Sequence, residues 1–307
     1  MRTEAVIAVR GGASSPTLSV VTPFHRDDPC ALLAALAPAP TGVEFVLLDD
    51  GSGDAGLLAR AVAACAHLEA SARIVVWAEN RGRSEARNRL IAEARGEYVL
   101  FMDADMKPDH PEFLRRWLRL IGERRPHAAF GGLSLRHATR ARDNALHFDL
   151  FAHSDCRGAA ARARSSAQYV STANLLVRRD LLATLPFDSG FIGWGFEDVD
   201  WALRAAETAP IHHFDNTASH VGLDSPEALL RKSVQAGPNF ARLFAKHPRA
   251  VSRFAAYRAA RVLRWAPGRK HLLRAFAALA LLRGTPMAMR RGALKLFRVL
   301  QYGDHLP

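Results

Sequence analysis

The sequence predicts an α/β fold, a mostly parallel sheet flanked by helices, followed by a basic α-helical C-terminal extension. Two observations predict the sheet: short apolar runs alternate with helical patterns over the first 105 residues, and polar side chains follow the end of each run. Strands separated by helices of about ten to fifteen residues are typical of βαβ units, in which the strands run parallel. A change in charge near residue 226 predicts the extension. We therefore expect one domain over residues 1–225 and helices over residues 226–307.

The individual elements follow from local composition in chain order. Apolar runs that end at proline or at an acidic turn predict strands, and Ala- and Leu-rich segments predict helices. The predicted strands are residues 18–22, 44–48, 73–77, 98–102 and 170–177. The predicted helices are residues 30–37, 55–68, 84–94, 111–122, 179–185 and 201–209. Residues 157–167 predict a loop, residues 211–220 predict a His-rich strand or loop, and the basic tail predicts two or three helices.

Charge is unevenly distributed along the chain. The 307 residues carry 42 Lys and Arg against 30 Asp and Glu, a formal net charge of +12. Residues 226–307 hold 17 basic and two acidic residues, which leaves the first 225 residues with a net charge of −3. No helix-turn-helix, RNP or zinc-finger pattern accompanies the basic residues, and acidic strand ends repel phosphates. We therefore expect no nucleic acid partner, and a hydrophobic share of 49% excludes a disordered chain.

Few sequence features bear on the compartment of the protein. The three cysteines, Cys30, Cys65 and Cys156, show no metal-ligand spacing and suit a reducing compartment. The apolar run at residues 5–9 is too short for a secretory signal. The longest apolar run, residues 275–282, is well below the roughly 18 residues of a spanning helix. We therefore expect a cytoplasmic protein without a membrane span.

Acidic side chains follow two of the predicted strands. Asp49 and Asp50 end the second strand, and Asp103 and Asp105 follow the fourth. Parallel sheets bind ligands at the carboxyl ends of their strands. One carboxylate of such a pair can bind a ribose hydroxyl and the other a divalent cation. The alternative reading of each pair is a solvated or helix-capping turn.

Two further segments fall at the same edge of the predicted sheet. Thr22 and Pro23 end the first strand, and Asn80 and Arg87 lie around the start of the helix after the third. A helix N-terminus and arginine side chains can bind a diphosphate together. The alternative is an exposed helix with surface arginines.

The string Gly-Trp-Gly-Phe-Glu-Asp at residues 193–198 is the least random of the sequence. Its glycines allow a tight turn around Trp194, whose indole face can stack on a sugar ring. Glu197 and Asp198 supply a candidate general base. The alternative is a core tryptophan beside a helix N-terminus that favours acids.

Three histidines, His212, His213 and His220, follow this string. Neutral imidazole is a good ligand for manganese-like ions, so one of them can complete a cation site with Asp105. A structural histidine is the alternative for each of the three.

Taken in order, these motifs resemble family 2 of the nucleotide-sugar glycosyltransferases, whose fold is the Rossmann-like GT-A type. The resemblance rests on Asp-Asp-Gly-Ser (49–52), Asn-Arg-Gly (80–82), Ala-Arg-Asn (86–88), Asp-Ala-Asp (103–105), Asn-Leu-Leu-Val-Arg-Arg (174–179) and the string that begins at residue 193. The Gly-Trp-Gly…Glu-Asp string further resembles the galactosyltransferase-like C-terminal half of such enzymes. The motifs span about two thirds of the chain.

The resemblance implies an inverting hexosyltransferase of polysaccharide biosynthesis. It would move a sugar from a nucleoside diphosphate sugar, expected to be UDP-linked, to a hydroxyl of a glycan or lipid-linked saccharide, with Mn2+ or Mg2+ as cofactor. The implied nucleotide-sugar-binding residues are Thr22, Pro23, Asp49, Asp50, Asn80, Arg87, Asp103 and Trp194. Asp105 and His220 would bind the metal. Asp198 would be the general base, and Glu197 would seat a sugar beside it.

Two other functional classes stay open at this point. A sugar-nucleotide nucleotidyltransferase carries a Gly-rich, Arg/Lys-containing loop after its first strand, where this chain has Pro-Phe-His-Arg at residues 23–26. A basic module that binds nucleic acid or a membrane is the other class.

The tail itself carries a membrane-binding pattern. Residues 253–300 interleave arginine with aromatic and leucine side chains, which is typical of helices that lie on anionic lipid. We therefore expect a peripheral position on the inner face of the cytoplasmic membrane. Helices that pack back on the sheet are the alternative.

Overall fold

The computed structural model describes residues 4–11 and 15–307. Its strands are β1 (Glu4–Arg10), β2 (Leu18–Phe24), β3 (Val43–Asp49), β4 (Ser71–Trp77), β5 (Tyr98–Met102), β6 (Met106–Pro108), β7 (Ala128–Phe130), β8 (Leu133–Ser134), β9 (Asn174–Arg178), β10 (Ile211–His213) and β11 (Ala218–His220). Its helices are α1 (Cys30–Leu36), α2 (Ala55–Ala66), α3 (Arg83–Glu93), α4 (Phe113–Arg124), α5 (Ala145–Ser154), α6 (Ala159–Ala163), α7 (Arg179–Thr184), α8 (Glu197–Thr208), α9 (Pro226–Lys246), α10 (Pro248–Val251), α11 (Ala255–Leu263), α12 (Arg269–Leu281) and α13 (Met287–His305). A 3-10 helix covers Ser166–Tyr169.

Within the described residues the strands form two sheets. The larger has eight strands in the order β1-β4-β3-β2-β5-β9-β7-β10, and the smaller has the order β6-β11-β8. β2 pairs in parallel with β3 and β5, and β3 pairs in parallel with β4. β9 runs antiparallel to β5 and β7. The predicted α/β fold with a mostly parallel sheet is confirmed, and the carboxyl ends of β2, β3 and β5 meet at one edge.

The centre of the sheet is buried along whole strands. Every residue of β3 and of β5 is buried, and the same holds for all of β2 except Pro23. Continuous apolar runs of this kind are typical of central parallel strands, because both faces are covered. The side chains that follow these strands are therefore held at the end of a rigid, closely packed core.

The run at residues 5–9, considered above only as a candidate signal, lies within strand β1. It pairs antiparallel with β4, from Glu4 opposite Trp77 to Arg10 opposite Ala72. Its residues are half-buried or exposed because it lies at the edge of the sheet. The Glu4 carboxylate accepts a hydrogen bond from Trp77 Nε1 at 2.7 Å and another from Arg89. β1 is therefore an edge strand that the short apolar run in the sequence did not predict.

The prediction of a loop over residues 157–167 is wrong, because α6 and the start of the 3-10 helix occupy this segment. Arg162 in α6 is only 1% exposed. Its guanidinium donates to the backbone carbonyl oxygens of Arg157 and Phe214 and lies 5.2 Å from the centre of the Phe130 ring. A buried, hydrogen-bonded arginine replaces apolar side chains as the packing centre here. Apolar content alone therefore gave no sign of these helices.

The basic tail forms five helices in the described part of the chain, α9 to α13, so the prediction of two or three is wrong. The Ser225 side chain caps α9 by accepting a hydrogen bond from the Ala228 backbone N–H, and Pro226 occupies the first turn. The buried tail residues form one apolar cluster with Phe191 and another with Leu146 and Leu150. The tail thus packs against α5 and the segment before α8, and the domain boundary at residue 226 stays a prediction.

Asp200 in α8 joins the tail to the rest of the protein. Its carboxylate has no exposed surface and lies 2.6 Å from Lys246 Nζ, 2.9 Å from His247 Nε2 and 3.0 Å from Arg204 Nε. Removing one partner of a buried ion pair is costly because the remaining charge stays buried without compensation. This cluster therefore joins α8 to the end of α9 through a buried carboxylate.

We expect Asp200→Ala to lower the free energy of unfolding by about 3–5 kcal/mol, measured by denaturant titration. Asp180→Ala is the matched control, because it removes an exposed pair with Arg178 that is worth about 0–1 kcal/mol. Equal losses in the two variants would contradict the role assigned to Asp200.

Candidate active site

A cleft of about 500 Å³ opens at the carboxyl ends of β2, β3 and β5. Its walls also include the starts of α3 and α8, the end of β11 and the tail helices α9 and α13. Nine of the twelve predicted site residues line it: Pro23, Asp50, Arg87, Asp103, Asp105, Trp194, Glu197, Asp198 and His220. The other three lie outside the cleft lining. Thr22 and Asp49 are buried, and Asn80 is exposed.

The acidic pair after β3 has two different environments. Asp50 accepts hydrogen bonds from the backbone N–H groups of Arg81 and Gly82, at 2.6 and 3.0 Å, and so holds the loop before α3. Burial raises the pKa of the Asp50 carboxyl, and these N–H donors oppose the rise. Asp49 accepts from the Ser52 backbone N–H at 2.8 Å within a local turn, and Asp54 rather than this pair caps α2. Asp50 is therefore the carboxylate of this pair that faces the cleft.

Arg87 joins three elements beneath the cleft. It is 2% exposed, and its Nη1 lies 2.9 Å from Glu197 Oε1 while its Nη2 lies 3.6 Å from Asp103 Oδ1. Burial by itself would raise the pKa of Glu197, but the charges of Arg87 and Arg83 outweigh it and lower that pKa. Glu197 is therefore a carboxylate neutralised by Arg87, and the pair fixes α3, α8 and the end of β5 relative to one another.

The turn before α8 depends on unusual backbone angles. Gly193, Gly195 and Phe196 have positive φ values of 75°, 101° and 74°. Glycine adopts this region without steric cost, whereas Phe196 is held there by ring contacts with Phe240 and Tyr302. The turn places the half-buried Trp194 and the first residues of α8 at the cleft.

Asp198 has an environment unlike that of its neighbour Glu197. Its carboxylate accepts a hydrogen bond from the Val199 backbone N–H at 2.9 Å, and no ion pair of the described residues includes it within 4.0 Å. Burial and the adjacent negative charge of Glu197 raise the pKa of Asp198 to about 7. A half-buried carboxyl with a pKa near neutrality is suited to accept a proton. Adjacent acids with divergent pKa values indicate different roles.

Asp105 and His220 also line the cleft and contact each other. His220 Nε2 lies 3.3 Å from Asp105 Oδ2, and strand β11 presents His220 beside Met106 of β6. The Val221 backbone N–H donates to the Asp105 carbonyl oxygen at 2.9 Å, which fixes the two segments. His212 is exposed on β10, and His213 packs edge-on against Phe130. Of the three candidate histidines, His220 is therefore the one beside Asp105.

The Asp105–His220 pair fits a small divalent ion. Two ligands bound at about 2.1 Å to neighbouring positions of an octahedral ion lie about 3 Å apart, close to the separation seen here. Nδ1 of His220 is buried without a hydrogen-bond partner among the described residues, and Nε2 faces the carboxylate. Within residues 4–11 and 15–307, no three His, Cys, Asp or Glu side chains form a group that could hold a metal ion. The remaining ligands would have to come from a substrate and water.

The sequence profile of one known family, described as glycosyl transferase family 2, matches residues 19–185. This match covers more than half of the chain. The chain belongs to glycosyl transferase family 2. It is therefore a glycosyltransferase, and the resemblance drawn from the sequence motifs is confirmed at the level of the family.

Solved structures of glycosyltransferases share this fold. The mannosyltransferase PcManGT from Pyrobaculum calidifontis, in complex with GDP-Man and Mn2+, has a TM-score of 0.57 at 18% identity, over 94% of this chain and 87% of that one. TarS residues 1–349 from S. aureus has a TM-score of 0.55 at 16% identity, over 92% of this chain and 89% of that one. At these identities the likeness shows the GT-A fold.

One curated relative is similar over a shorter segment. Glucosyl-3-phosphoglycerate synthase of Mycolicibacterium paratuberculosis (strain ATCC BAA-968 / K-10) is 32% identical over 118 residues, which is 37% of this chain and 35% of the relative. The matched segment spans about a third of the relative's length. This partial match agrees with the family but does not extend to a whole-protein activity.

The family 2 cleft contains residues that the sequence motifs did not point to. They are His147 and Phe151 on α5, Lys232 on α9, and Arg298 and Tyr302 on α13. The His147 and Phe151 rings lie 5.6 and 5.2 Å from the His220 ring. His147 and Phe151 are four residues apart, as are Arg298 and Tyr302, so the sequence indicates that each pair shares one face of a helix. The sequence does not indicate that these faces line the cleft.

Proposed function

We propose that this glycosyltransferase is an inverting enzyme that moves a sugar from a nucleoside diphosphate sugar, UDP-linked, to a hydroxyl of a glycan or lipid-linked saccharide. Asp198 is the general base, and Asp105 and His220 hold Mn2+ or Mg2+. One observation carries the proposal: a single cleft contains a carboxyl with a pKa near 7 and, separately, a carboxylate–imidazole pair spaced for a divalent ion. Solved relatives of the same fold contain GDP-Man with Mn2+, or UDP with Mn2+.

The donor would lie along the strand ends. Asp50 and Pro23 are at the end of the cleft near β2 and β3, where a nucleoside would bind. Asp103 lies at the end of β5, 3.6 Å from Arg87 Nη2, and we assign its carboxylate to a ribose hydroxyl. Thr22 and Asp49 lie in the paired strands β2 and β3 behind this end, and Asn80 precedes the loop that Asp50 holds. The divalent ion, when bound, neutralises charge that develops on the leaving diphosphate.

Asp198 would deprotonate the acceptor hydroxyl as it attacks the sugar. A single displacement needs one base and no covalent nucleophile, and the transition state is oxocarbenium-like. Glu197 cannot easily serve, because Arg87 holds it as a paired carboxylate. Trp194 presents an indole at the same wall, where an aromatic face can stack on a sugar ring. Glu197 would therefore position the site through Arg87 while Asp198 moves the proton.

A screen of donors tests the proposal. Thermal shift of the full chain would be measured with UDP- and GDP-linked sugars, each with and without Mn2+, and release of the nucleoside diphosphate would be followed for every donor. We expect one donor class to stabilise the protein in a Mn2+-dependent way and to be turned over. The absence of stabilisation and turnover with every donor would overturn the proposal.

We expect the rate of donor turnover to rise with pH through about 7, because only the ionised form of Asp198 accepts a proton. The groups that face Asp198 are Glu197 and Asp103, which raise its pKa, and Arg87, which lowers it. The rate should fall about tenfold per pH unit on the acidic side and level off above about pH 8. A rate that is constant across this range would contradict Asp198 as the base.

We also propose that the tail rests on anionic lipid. Val262, in the last turn of α11, is 72% exposed, and Trp265, just after that helix, is 76% exposed. Leu282 and Met289 are also exposed. Basic residues surround them, and the Arg264 guanidinium covers the Trp265 ring at 4.6 Å. No helix of the described residues is long and apolar enough to cross a membrane. Exposed apolar side chains among arginines suit the interface of a bilayer.

We expect the protein to sediment with vesicles that contain phosphatidylglycerol and not with phosphatidylcholine vesicles. Trp265→Ser should weaken sedimentation several-fold, because burial of the indole at the interface is lost. Arg178→Gln, which changes an arginine of the catalytic domain, is the control for charge. No binding to anionic vesicles at moderate salt would contradict this position of the tail.

A further inference from the structure

The tail contributes two cations to the active-site cleft, Lys232 on α9 and Arg298 on α13. Lys232 Nζ lies 2.6 Å from Asp224 Oδ2, so its charge is balanced. Arg298 donates from Nε to Ser233 Oγ at 3.1 Å. Within the part of the chain described by the structure, no carboxylate oxygen lies within 4.0 Å of this guanidinium. A guanidinium has five N–H donors, so most of those on Arg298 are available to a ligand.

The surroundings of Arg298 keep its position fixed. Ser233 is fully buried and donates in turn to the Leu229 carbonyl oxygen at 2.6 Å, so the atom that accepts from Nε is itself anchored. The carboxylates that share this wall are Asp224 and Asp155. Asp224 is paired with Lys232, and the Asp155 carboxylate accepts from its neighbour Ser154. Among the described residues of this wall, the Arg298 guanidinium therefore has a positive charge that no carboxylate neutralises by contact.

Arg298 reaches the cleft from the tail helix α13 rather than from the ends of the strands. One helical turn further along α13, the Tyr302 ring stacks on Phe240 and meets Phe196 at 5.6 Å. Phe196 directly precedes Glu197 and Asp198, so this face of α13 adjoins the general base. The nucleoside end, at Pro23 and Asp50, is built from β2 and β3 instead. We therefore assign a ligand group that contacts this face of α13 to the molecule whose hydroxyl faces Asp198.

We propose that Arg298 binds a phosphate ester group of the acceptor. The planar guanidinium offers parallel N–H donors that match two phosphate oxygens, whereas the charge of Lys232 stays paired with Asp224. The inference rests on the proposed function, since it assigns the acceptor to the site of Asp198. The phosphate group comes either from a soluble phosphorylated saccharide or from a lipid-linked one. Both present the same oxygen atoms to α13.

The test uses the full chain in the presence of UDP and Mn2+, with glycerol 1-phosphate as the soluble probe and glycerol as its neutral counterpart. Isothermal titration should give binding of glycerol 1-phosphate and none of glycerol. Arg298→Gln should weaken that binding at least about tenfold, because a charge-assisted bidentate contact is lost. Arg298→Lys should restore part of it. Arg115→Gln, an exposed arginine of α4 outside both the tail and the cleft, is the matched control and should bind like wild type.

A second arm identifies the source of the phosphate. Vesicles of phosphatidylcholine with phosphatidate are compared for wild type, Arg298→Gln and Arg115→Gln. A loss confined to the vesicle arm supports a lipid phosphate, and a loss in the glycerol 1-phosphate arm supports a soluble one. Equal binding by Arg298→Gln and wild type in both arms overturns the proposal, as does a lack of binding by wild type.

UDP affinity separates this inference from the proposed function. We expect Arg298→Gln to bind UDP with Mn2+ as tightly as wild type does. If UDP binding falls with this variant, Arg298 serves the donor diphosphate and the acceptor assignment is wrong. If wild type itself does not bind UDP or GDP with Mn2+, the proposed function fails, whatever the phosphate arm gives.

Discussion

Asp198→Asn should reduce sugar transfer by about 10²–10⁴-fold while the affinity for the donor stays at the wild-type value. The amide has nearly the size of the carboxyl but cannot accept a proton from an attacking hydroxyl. The half-buried position of Asp198, beside the paired Glu197, makes substitution mild for folding, because a like-charge contact is removed. Initial rates of nucleoside diphosphate release and titration of the donor into the protein measure the two quantities separately.

Asp180→Asn is the control for this variant, because Asp180 is an exposed carboxylate on α7 outside the cleft. It should transfer and bind like wild type. If Asp198→Asn keeps the wild-type rate, the base assignment is wrong. If it loses donor binding as well as rate, Asp198 belongs to the donor site instead.

Asp105→Ala should lower donor turnover by about 10³-fold and remove the Mn2+-dependent part of donor binding. The carboxylate is one of two protein groups that meet at 3.3 Å, so its loss leaves His220 alone to bind the ion. A diphosphate that is not neutralised is a poor leaving group, which explains the effect on rate. Thermal shift with UDP, with and without Mn2+, reads the metal effect independently of turnover.

Two controls make this second prediction specific. Asp143→Ala removes an exposed carboxylate outside the cleft and should leave the Mn2+ effect intact. His220→Gln should weaken the Mn2+ effect, whereas His212→Gln on the exposed face of β10 should not. A Mn2+ effect that survives in Asp105→Ala would place the ion elsewhere.

The central strands could be predicted from the sequence because a strand buried on both faces is a continuous run of apolar residues. β3 and β5 are continuous apolar runs, and their ends carry the acids that line the cleft. β1 left no such pattern, because an edge strand is only partly buried and its partner β4 lies far along the chain. The helix around Arg162 was missed for a related reason, since a polar side chain forms its core.

The sequence motifs predicted most of the residues that line the site, but they did not predict the different environments of Glu197 and Asp198. Glu197 and Asp198 are adjacent in the sequence, yet Arg87, 110 positions away, neutralises only the first. That contact depends on how α3 packs beside α8, which no local pattern encodes. His147, Lys232 and Arg298 come to the cleft from helices that carry no motif. Long-range packing therefore decides which charges remain available for chemistry.

The arginines of the tail occupy two different environments. Most of its arginines are exposed, including Arg258 and Arg261 on the helix that carries the exposed Val262, where charge suits a lipid surface. Arg298 points into the cleft, where an uncompensated charge suits an anionic ligand. A basic composition alone would not separate a surface that holds the enzyme in place from a side chain that selects its substrate.

The anomeric configuration of the sugar released from the donor tests the central claim most directly. In the absence of an acceptor, water can take the place of the attacking hydroxyl beside Asp198, and proton NMR can record the first-formed free sugar before it mutarotates. From an α-linked nucleoside diphosphate sugar, a single displacement with Asp198 as base predicts that the β anomer appears first. Appearance of the α anomer first would contradict the inverting mechanism and the role assigned to Asp198.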